Sequence, residues 1–373
     1  MKSLQFLLQI NLNFADYKFA LLCFTTAFVV AMVAVPPLIL IVKKFQLFDN
    51  PGSRKEHSIP TPTLGGIAIM AGLMVSLVMW FPFAFTREIM TCFFSIVILF
   101  GMGITDDLKD LSAKYKFIVE IALAVLVTLS GVRITSFGGL FGLNELPISA
   151  QYIFTILAMA GITNAFNLID GIDGLAGGLS FMSLIILGIF LTICGDKSFA
   201  LIAFAMAGGV LAFLYFNMNP AKIFMGDTGS LVLGFVIAIL CTRLIQFNSS
   251  LTQPVLKNSP LIALAIVLIP VFDTMRVFAY RIWKGKSPFH PDKTHIHHLL
   301  TNAGFSHGLT ARLICIIHGF ILIEVYWLKE WWPEFILFML LAAVTVVTIV
   351  FYNMRFLKKR IVANSQLKNF GLN

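Results

Sequence analysis

Charged residues are scarce in this sequence. They make up 12% of its 373 residues, against roughly 25% in an ordinary soluble domain. Hydrophobic residues make up 58%, and 37 residues are Phe. So few charges cannot cover the surface of a water-soluble protein of this length. The composition therefore excludes that class and indicates a protein whose surface is solvated largely by lipid.

Cysteines are also few, and no two of the five are spaced as metal ligands. They lie inside or at the edge of apolar runs, so we interpret them as small buried apolar residues. The N-terminus lacks the short apolar core and small-residue cleavage site of a signal peptide. We therefore expect the first apolar run to remain as a membrane span.

Eleven apolar runs approach the roughly 20 residues that a helix needs to cross a bilayer. They are continuous rather than alternating, which favours helices over barrel strands, the other structure that satisfies the backbone in lipid. The third and fourth runs are short. We predict an all-α integral membrane bundle of about 11 transmembrane helices, without a soluble domain, near 19–42, 64–83, 89–105, 117–132, 150–168, 175–194, 199–217, 229–246, 259–275, 310–328 and 335–353.

The net charge of +9 does not indicate nucleic-acid binding, because the basic residues fall in short segments between apolar runs. If the loop at 43–63 faces the cytoplasm, 19 of the 27 Lys and Arg residues lie on that side, several of them in a basic tail at 354–373. Positive loops face the cytoplasm. We therefore predict one polytopic domain over 1–373, with the N-terminus outside and the C-terminus inside.

Two of the segments predicted to be cytoplasmic carry clusters of charge; the basic residues of the first also suit a positive-inside anchor, whereas the acids of the second are not explained by topology. The loop FDNPGSRKEHSIPTPTLGG at 48–66 contains Lys55 and ends in a Gly-Gly pair that opens the second span. Lys and Arg in such a loop could bind phosphate. In GITDDLKDLSAKYK at 103–116, Asp106 and Asp107 end the third span and point in different directions. With Asp110 they form a negative region that favours a divalent cation.

The segment NAFNLIDGIDGLAGG at 164–178 is the most specific of the set. Asn167 and Asp170 are three residues apart and share a helical face. Asp173 would continue that face, but the neighbouring glycines are expected to end the helix and to let backbone approach a ligand closely.

The last two segments are FMGDTGS at 224–230, with Asp227, and SPFHPDKTHIHHLL at 287–300. We expect His295 and His298 to share one side of a helix, with His297 turned away. The histidines could bind zinc or donate to phosphate, and the absence of nearby Cys weakens the zinc interpretation. Acids, an amide, cations and imidazoles on one side of a membrane suit a Mg²⁺-bound diphosphate.

Together the DD, NxxDGxDG, GDxGS and HIHH elements resemble the polyprenyl-phosphate N-acetylhexosamine-1-phosphate transferase family, in family order, from about residue 20 to about 350. The resemblance implies transfer of a sugar 1-phosphate from a UDP-sugar to undecaprenyl phosphate. UMP would be released at the cytoplasmic face of a bacterial inner membrane, in the first lipid-linked step of cell-surface polysaccharide synthesis. The HIHH form is similar to the N-acetylglucosamine branch, while N-acetylgalactosamine and deoxy-amino sugars stay open as donors.

By motif position the resemblance also implies residue roles. Asn167 and Asp227 would bind Mg²⁺, for which Mn²⁺ is a substitute. Asp106 and Asp107, the catalytic pair, would lie beside the attacking lipid phosphate. The substrates would be bound by Lys55, Lys116, Asp170, Asp173, His295, His297 and His298. The expected partners are the two substrates and the bilayer, without nucleic acid; a homodimer is compatible with the sequence but has no motif to support it.

Two alternatives remain at this level. An intramembrane aspartyl protease would use a Gly-Asp signature such as Gly226-Asp227, but it needs two aspartates facing each other within the membrane. A transporter would bury ionisable residues at mid-membrane. Its candidates are Glu324 and the pair Asp273 and Arg276, whose spacing of three also suits a simple ion pair.

Overall fold

The computed structural model describes the backbone of residues 14–46, 48–49, 61–82, 86–287 and 294–369. Side chains are described within these ranges from Tyr17 to Met354, apart from those of 48–49. Twelve helices account for most of this part of the chain. They are α1 (Phe14–Lys44), α2 (Gly66–Trp80), α3 (Arg87–Lys109), α4 (Ala113–Ser130), α5 (Ile148–Ile169), α6 (Leu175–Cys194), α7 (Lys197–Asn217), α8 (Asp227–Ser250), α9 (Ser259–Trp283), α10 (Ile296–Asn302), α11 (His307–Leu328) and α12 (Pro333–Asn369).

The protein is an all-α integral membrane protein. Among the described residues, nine helices are long and apolar enough to span a bilayer. Two further predicted runs form α2, with 15 residues, and α4, with 18 residues. Helix α4 carries Lys114, Lys116 and Glu120 in its first half, so it is less apolar than the nine. The number eleven therefore stays a prediction.

The third predicted run, 89–105, is a few residues longer at each end in the structure. Helix α3 has 23 residues because it continues past the apolar stretch at both ends, from Arg87 to Lys109. Thr86 accepts a hydrogen bond from the Ile89 backbone N–H at the start, and Asp110 closes the other end with a positive φ of 52°. Polar capping residues therefore lengthened the helix beyond its hydrophobic part.

Helix α8 is the centre of the bundle. Its residues from Thr228 to Thr242 are all buried, and it packs against α3, α5 and α6. Helix α2 comes especially close: a Cβ at Gly66 would lie 2.3 Å from the Gly229 backbone nitrogen. The predicted Gly-Gly opening of the second span is confirmed, since Gly65 and Gly66 begin α2. The structure adds that only glycine permits the approach of Gly66 to α8.

A proline inside α9 leaves one carbonyl without its helical partner, because Pro270 has no N–H to donate to the residue four positions earlier. That residue is Ile266. Its carbonyl oxygen accepts a hydrogen bond from the Ser183 hydroxyl of α6 at 3.0 Å. The neighbouring helix thus satisfies the freed group, as is required inside a bilayer.

Two short antiparallel strand pairs accompany the helices, and the sequence did not predict them. Strands β1 (Phe48–Asp49) and β2 (Thr61–Pro62) pair next to α2. Strands β3 (Ser136–Leu140) and β4 (Leu143–Glu145) form a hairpin whose two turn residues both have positive φ, at 52° and 75°. Such a turn fits the twist of paired strands. We call the end of the bundle that carries β3 and β4 the hairpin end.

Candidate active site

Three carboxylates meet at the opposite end of the bundle, which we call the acidic end. Asp106 and Asp107 belong to the last turn of α3, and Asp227 is the first residue of α8. One oxygen of each carboxylate lies within 4.8 Å of the others. Since α3 packs along α8, the end of one helix meets the start of the other. In the sequence these motifs are about 120 residues apart and were predicted to lie on one side of the membrane. The fold brings them into contact.

Asp107 closes the start of α8. Its Oδ1 accepts a hydrogen bond from the Asp227 backbone N–H at 2.8 Å. Its Oδ2 accepts from the backbone N–H and the hydroxyl of Thr228, at 3.1 and 2.5 Å. A carboxylate from another helix thus satisfies the free N–H groups at this helix start and complements its dipole.

The close approach of Asp107 requires glycine at position 226. Gly226 has a φ of 70°, a conformation that costs other residues free energy. In addition, a Cβ there would lie 2.4 Å from the Asp107 carboxylate. The glycine of the GD motif therefore makes room for an acid of α3.

Lys116 lies between the other two acids. Its Nζ is 3.0 Å from Asp106 Oδ2 and 2.8 Å from Asp227 Oδ2. Asp106 Oδ1 accepts from the Leu111 backbone N–H at 2.8 Å. The expectation that Asp106 and Asp107 point in different directions is confirmed, because one faces Lys116 and the other faces the start of α8. Lys116 offsets part of the negative charge of the cluster.

Asn167, near the end of α5, is held by its amide nitrogen. Its Nδ2 donates to Asp227 Oδ1 at 3.0 Å and to the Ser230 hydroxyl at 2.9 Å. The amide oxygen is therefore the atom through which Asn167 can bind a cation. An amide oxygen beside carboxylates is a donor set that Mg²⁺ prefers, whereas Zn²⁺ favours nitrogen and sulfur.

The turn after α5 carries two more acids. The helix ends at Ile169, as the glycines predicted, and Asp170 is its C-terminal cap. Asp173 Oδ2 accepts from the Asn219 side chain at 2.9 Å and the Ala221 backbone N–H at 3.1 Å. Its Oδ1 is buried without a hydrogen-bond partner among the described residues. Asp173 is thus fixed by one oxygen and keeps the other available.

Asn217 and Asn219 were missed by the sequence prediction. Asn217 Oδ1 accepts from the Gly174 backbone N–H at 2.9 Å, and its Nδ2 donates to the Ile223 carbonyl at 2.9 Å. Two Asn residues in NMNP before a proline were the available signal, because such residues favour hydrogen-bonded turns. Together they hold the turn from Asp170 to Asp173, which we call the acidic turn, against the segment that leads into α8.

Most of these residues line a cavity of about 820 Å³ at the acidic end. This volume suits a substrate of moderate size. Acidic and amide groups dominate the wall, which is formed by Gln46, Thr63, Asp106, Asp107, Leu108, Lys109, Asp110, Asn167, Asp170, Gly171, Ile172, Asp173, Asn217, Phe224, Gly226, Asp227 and Ser230. Lys116 contacts the cluster from the side, and Lys55 lies outside the described residues.

The histidines adjoin the cavity from behind. Helix α10 begins only at Ile296, so His295 is its N-terminal cap. The expectation that His297 turns away from His295 was wrong, because their rings stack with centroids 5.8 Å apart and planes at 9°. His297 Nε2 would lie 2.5 Å from a Cβ at Gly171. Burial and the neighbouring His298 hold the pKa of His297 well below its usual value, so this imidazole is neutral.

Comparison with known proteins agrees with this geometry. Residues 89–245 match the family described as glycosyl transferase family 4. A probable undecaprenyl-phosphate N-acetylglucosaminyl 1-phosphate transferase of Bacillus subtilis is 34% identical over 331 residues, 86% of this chain and 90% of that protein. The chain belongs to the polyprenyl-phosphate N-acetylhexosamine-1-phosphate transferase family.

Further members of this transferase family show the same level of similarity. The undecaprenyl-phosphate alpha-N-acetylglucosaminyl 1-phosphate transferase of Escherichia coli K12 is 34% identical over 71% of this chain and 72% of its own length. The protein of the same name from Yersinia pestis is 34% identical over 77% of this chain and 80% of its own length. Identity at this level over most of both chains establishes a transferase family rather than a protease or a transporter.

The two alternative functions also lack structural support among the described residues. Asp227 is bonded to Lys116 and Asn167 instead of forming an isolated aspartate dyad. Asp273 and Arg276 form the ion pair that their spacing indicated, with 2.7 Å between Oδ1 and the guanidinium nitrogen. Glu324 is half-buried beside apolar residues of α11 and α12.

Asp170 supplies a test of the electrostatics of the cavity. Burial, with the charges of Asp227, Asp107 and Asp173, raises its pKa from the usual 3.8 to about 7. The folded state therefore binds this proton more tightly than the unfolded state does. As a result, the free energy of unfolding of the wild type falls as pH rises from about 4 to about 7. We expect Asp170→Asn to unfold at a higher temperature than wild type at pH 8 and at a similar temperature at pH 4.5. Thermal unfolding in detergent with EDTA measures this, and an unfolding-temperature difference that does not change with pH would contradict it.

Proposed function

We propose that this protein transfers N-acetylglucosamine 1-phosphate from UDP-N-acetylglucosamine to undecaprenyl phosphate, giving undecaprenyl-diphospho-N-acetylglucosamine and UMP. The observation that carries the proposal is the cluster of Asp106, Asp107 and Asp227 on the wall of a polar cavity at the end of a membrane bundle. The names of the similar proteins support the acceptor and the transferred group.

The polar chemistry belongs on the cytoplasmic side in this proposal. The distribution of Lys and Arg, with 19 of 27 on the side of the loop at 43–63, supports an N-terminus outside and a C-terminus inside. UDP-sugars are made in the cytoplasm, so the acidic end would face it in a bacterial inner membrane. The lipid phosphate would reach the cavity along the membrane plane.

A divalent cation suits the donor set. We infer that Asn167, through its amide oxygen, and Asp227 bind Mg²⁺, with Mn²⁺ as a substitute. When bound, the cation would neutralise charge on the diphosphate during phosphoryl transfer. Asp107 has one lone pair of Oδ1 left after its three hydrogen bonds, so its larger contribution is to hold Asp227 in place.

The reaction we infer is a single displacement. An oxygen of the lipid phosphate attacks the β-phosphorus of the UDP-sugar, and the bond from that phosphorus to the oxygen bridging to the α-phosphorus breaks. UMP leaves with the bridging oxygen. Lys116, between two acids at the cavity edge, is placed to offset charge on the phosphates, and Asp170 and Asp173 border the space for the nucleotide-sugar.

An obligatory general base is not required by this chemistry. A phosphate monoester has a second pKa near 6, so it is already mostly dianionic at pH 8. We therefore expect Asp106→Asn to retain measurable activity at pH 8, although it loses one of the carboxylates around Lys116. UMP release at pH 8 checks this, and complete loss of activity with intact UDP-sugar binding would contradict single displacement without a base.

The function itself is tested with detergent-solubilised protein, Mg²⁺, undecaprenyl phosphate and a panel of UDP-sugars. We expect UMP release with UDP-N-acetylglucosamine that depends on both the lipid phosphate and the cation. Omission of each component in turn is the control. A protein that releases no UMP with any donor of the panel would overturn the proposal, and release with another sugar would replace the donor.

A further inference from the structure

Asp273 is a buried carboxylate outside the cavity, on α9. Its side chain is 1% exposed and accepts hydrogen bonds from three donors. Arg276 donates to Oδ1 at 2.7 Å, the Ile296 backbone N–H donates to Oδ1 at 3.0 Å, and His295 Nδ1 lies 2.8 Å from Oδ2. Because a buried charge is costly unless it is paired and hydrogen-bonded, this set of donors stabilises the carboxylate at that position.

Two of these donors belong to the start of α10. Asp273 thus takes the place of a capping side chain for this short helix and holds the ring of its first histidine. Arg276 adds a bond to the same segment, because its guanidinium also donates to the Thr294 carbonyl at 2.5 Å. Seven residues are too few for a helix to be stable by itself. Helix α10 packs against α11 and α12, and the side chains of Asp273 and Arg276 fix its N-terminal end.

The position of α10 matters to the cavity through one contact. His297, which stacks on His295, lies against Gly171 so closely that a Cβ there would be 2.5 Å from Nε2. Gly171 is part of the cavity wall, in the turn between Asp170 and Asp173. None of the three histidines is among the described residues that line the cavity, so α10 supports the acidic turn from behind.

We propose that Asp273 is a positioning residue that acts on the acidic turn through His295 and His297. Its carboxylate fixes His295 and the first turn of α10, and the neutral His297 then sets the position of Gly171. This inference rests on the proposed function only for its activity readout. It assigns to a residue of α9, outside the four sequence motifs, control over the geometry of Asp170 and Asp173.

A double-mutant cycle on UMP release tests the proposal. An amide at position 273 offers one acceptor oxygen to three donors, so Asp273→Asn loses at least one of these hydrogen bonds. Groups that orient metal-ligating histidines contribute about 10- to 100-fold, and by analogy we expect a fall of about tenfold in kcat/KM. If Asp273 acts through His297, the double variant with His297→Ala is no worse than the more impaired single variant. Multiplication of the two single effects would overturn the proposal.

Asp196→Asn is the matched control. Asp196 is also buried, at 5% exposure, and is paired with an arginine, Arg243, at 2.6 Å, but it lies at the hairpin end. We expect Asp196→Asn to lower the unfolding temperature while kcat/KM stays within about twofold of wild type. The reason is that position 196 is far from the cavity and shares no partner with it among the described residues, and such sites act independently. Retention of wild-type kcat/KM by Asp273→Asn would also overturn the proposal.

A second measurement keeps the test independent of the assay. Hydrogen exchange of the backbone amides in α10 is expected to accelerate in Asp273→Asn and to stay unchanged in Asp196→Asn. If Asp273→Asn does not fold, His295→Ala replaces it in the cycle with His297→Ala. An inactive wild-type protein would contradict the proposed function, whereas unaltered exchange in α10 would contradict the role of Asp273.

Discussion

Asp227→Asn is expected to reduce UMP release about a thousandfold, since each 1.4 kcal/mol of lost transition-state stabilisation is a factor of about ten and a cation site contributes several kcal/mol. Asp227 connects the whole cluster: its carboxylate bonds to Lys116 and Asn167, and its backbone N–H donates to Asp107. An amide keeps the shape of the side chain but removes its charge and one acceptor oxygen. Steady-state kinetics with saturating lipid phosphate give the measurement.

The control for this substitution is again Asp196→Asn, which removes an equally ion-paired carboxylate at the hairpin end. Mg²⁺ titration separates two causes of inactivity, because loss of a cation ligand raises the Mg²⁺ concentration needed for half-maximal rate. Near-normal activity of Asp227→Asn, with an unchanged Mg²⁺ requirement, would remove Asp227 from the reaction.

Gly226→Ala is expected to abolish most activity and to lower the unfolding temperature. The residue has a φ of 70° and a ψ of 173°, a backbone region that only glycine adopts readily, and a non-glycine residue there costs about 1–3 kcal/mol. The new Cβ would also lie 2.4 Å from the Asp107 carboxylate. Asp107 must then move, and with it the start of α8 that carries Asp227. UMP release and thermal unfolding of the same preparation measure both effects.

Gly142→Ala is the control that separates backbone strain from the steric clash between the new Cβ at position 226 and the Asp107 carboxylate. Gly142 has a φ of 75°, yet a Cβ there would meet no atom within 4 Å. We expect Gly142→Ala to be destabilised by the cost of its positive φ while it keeps wild-type activity. If Gly226→Ala behaves like Gly142→Ala, the contact between position 226 and Asp107 has no role in shaping the site.

The membrane class and most of the helices could be predicted from the sequence because apolar length is a local property. The end of α5 at Ile169 was likewise predictable, since Gly171 and Gly174 follow it. The extent of α3 was not, because capping by Thr86 and Asp110 lies outside the apolar run. The β3–β4 hairpin was missed because its strands are short and its turn includes Phe141 at positive φ, which residue type does not predict.

The candidate site was predicted as a set of residues but not as a set of contacts. Hydropathy and spacing put Asp106, Asp107 and Asp227 on one side of the membrane. Spacing could not show that Asp107 caps α8, since that bond joins residues 120 positions apart. The same reason explains why Asn219 and Asp273 were not recognised as partners of Asp173 and His295: each pair becomes neighbours only when the helices pack.

The capping of α8 by Asp107 has a consequence for the thermodynamics of ligand binding. Folding itself orders Asp107, Asp227 and Lys116, because backbone N–H groups and neighbouring side chains hold them. Little conformational entropy is then left to lose when a cation enters, and a preorganised site binds more tightly than one that must be assembled. Calorimetry of Mg²⁺ binding should accordingly show a small heat-capacity change, whereas Gly226→Ala should add the cost of ordering the start of α8.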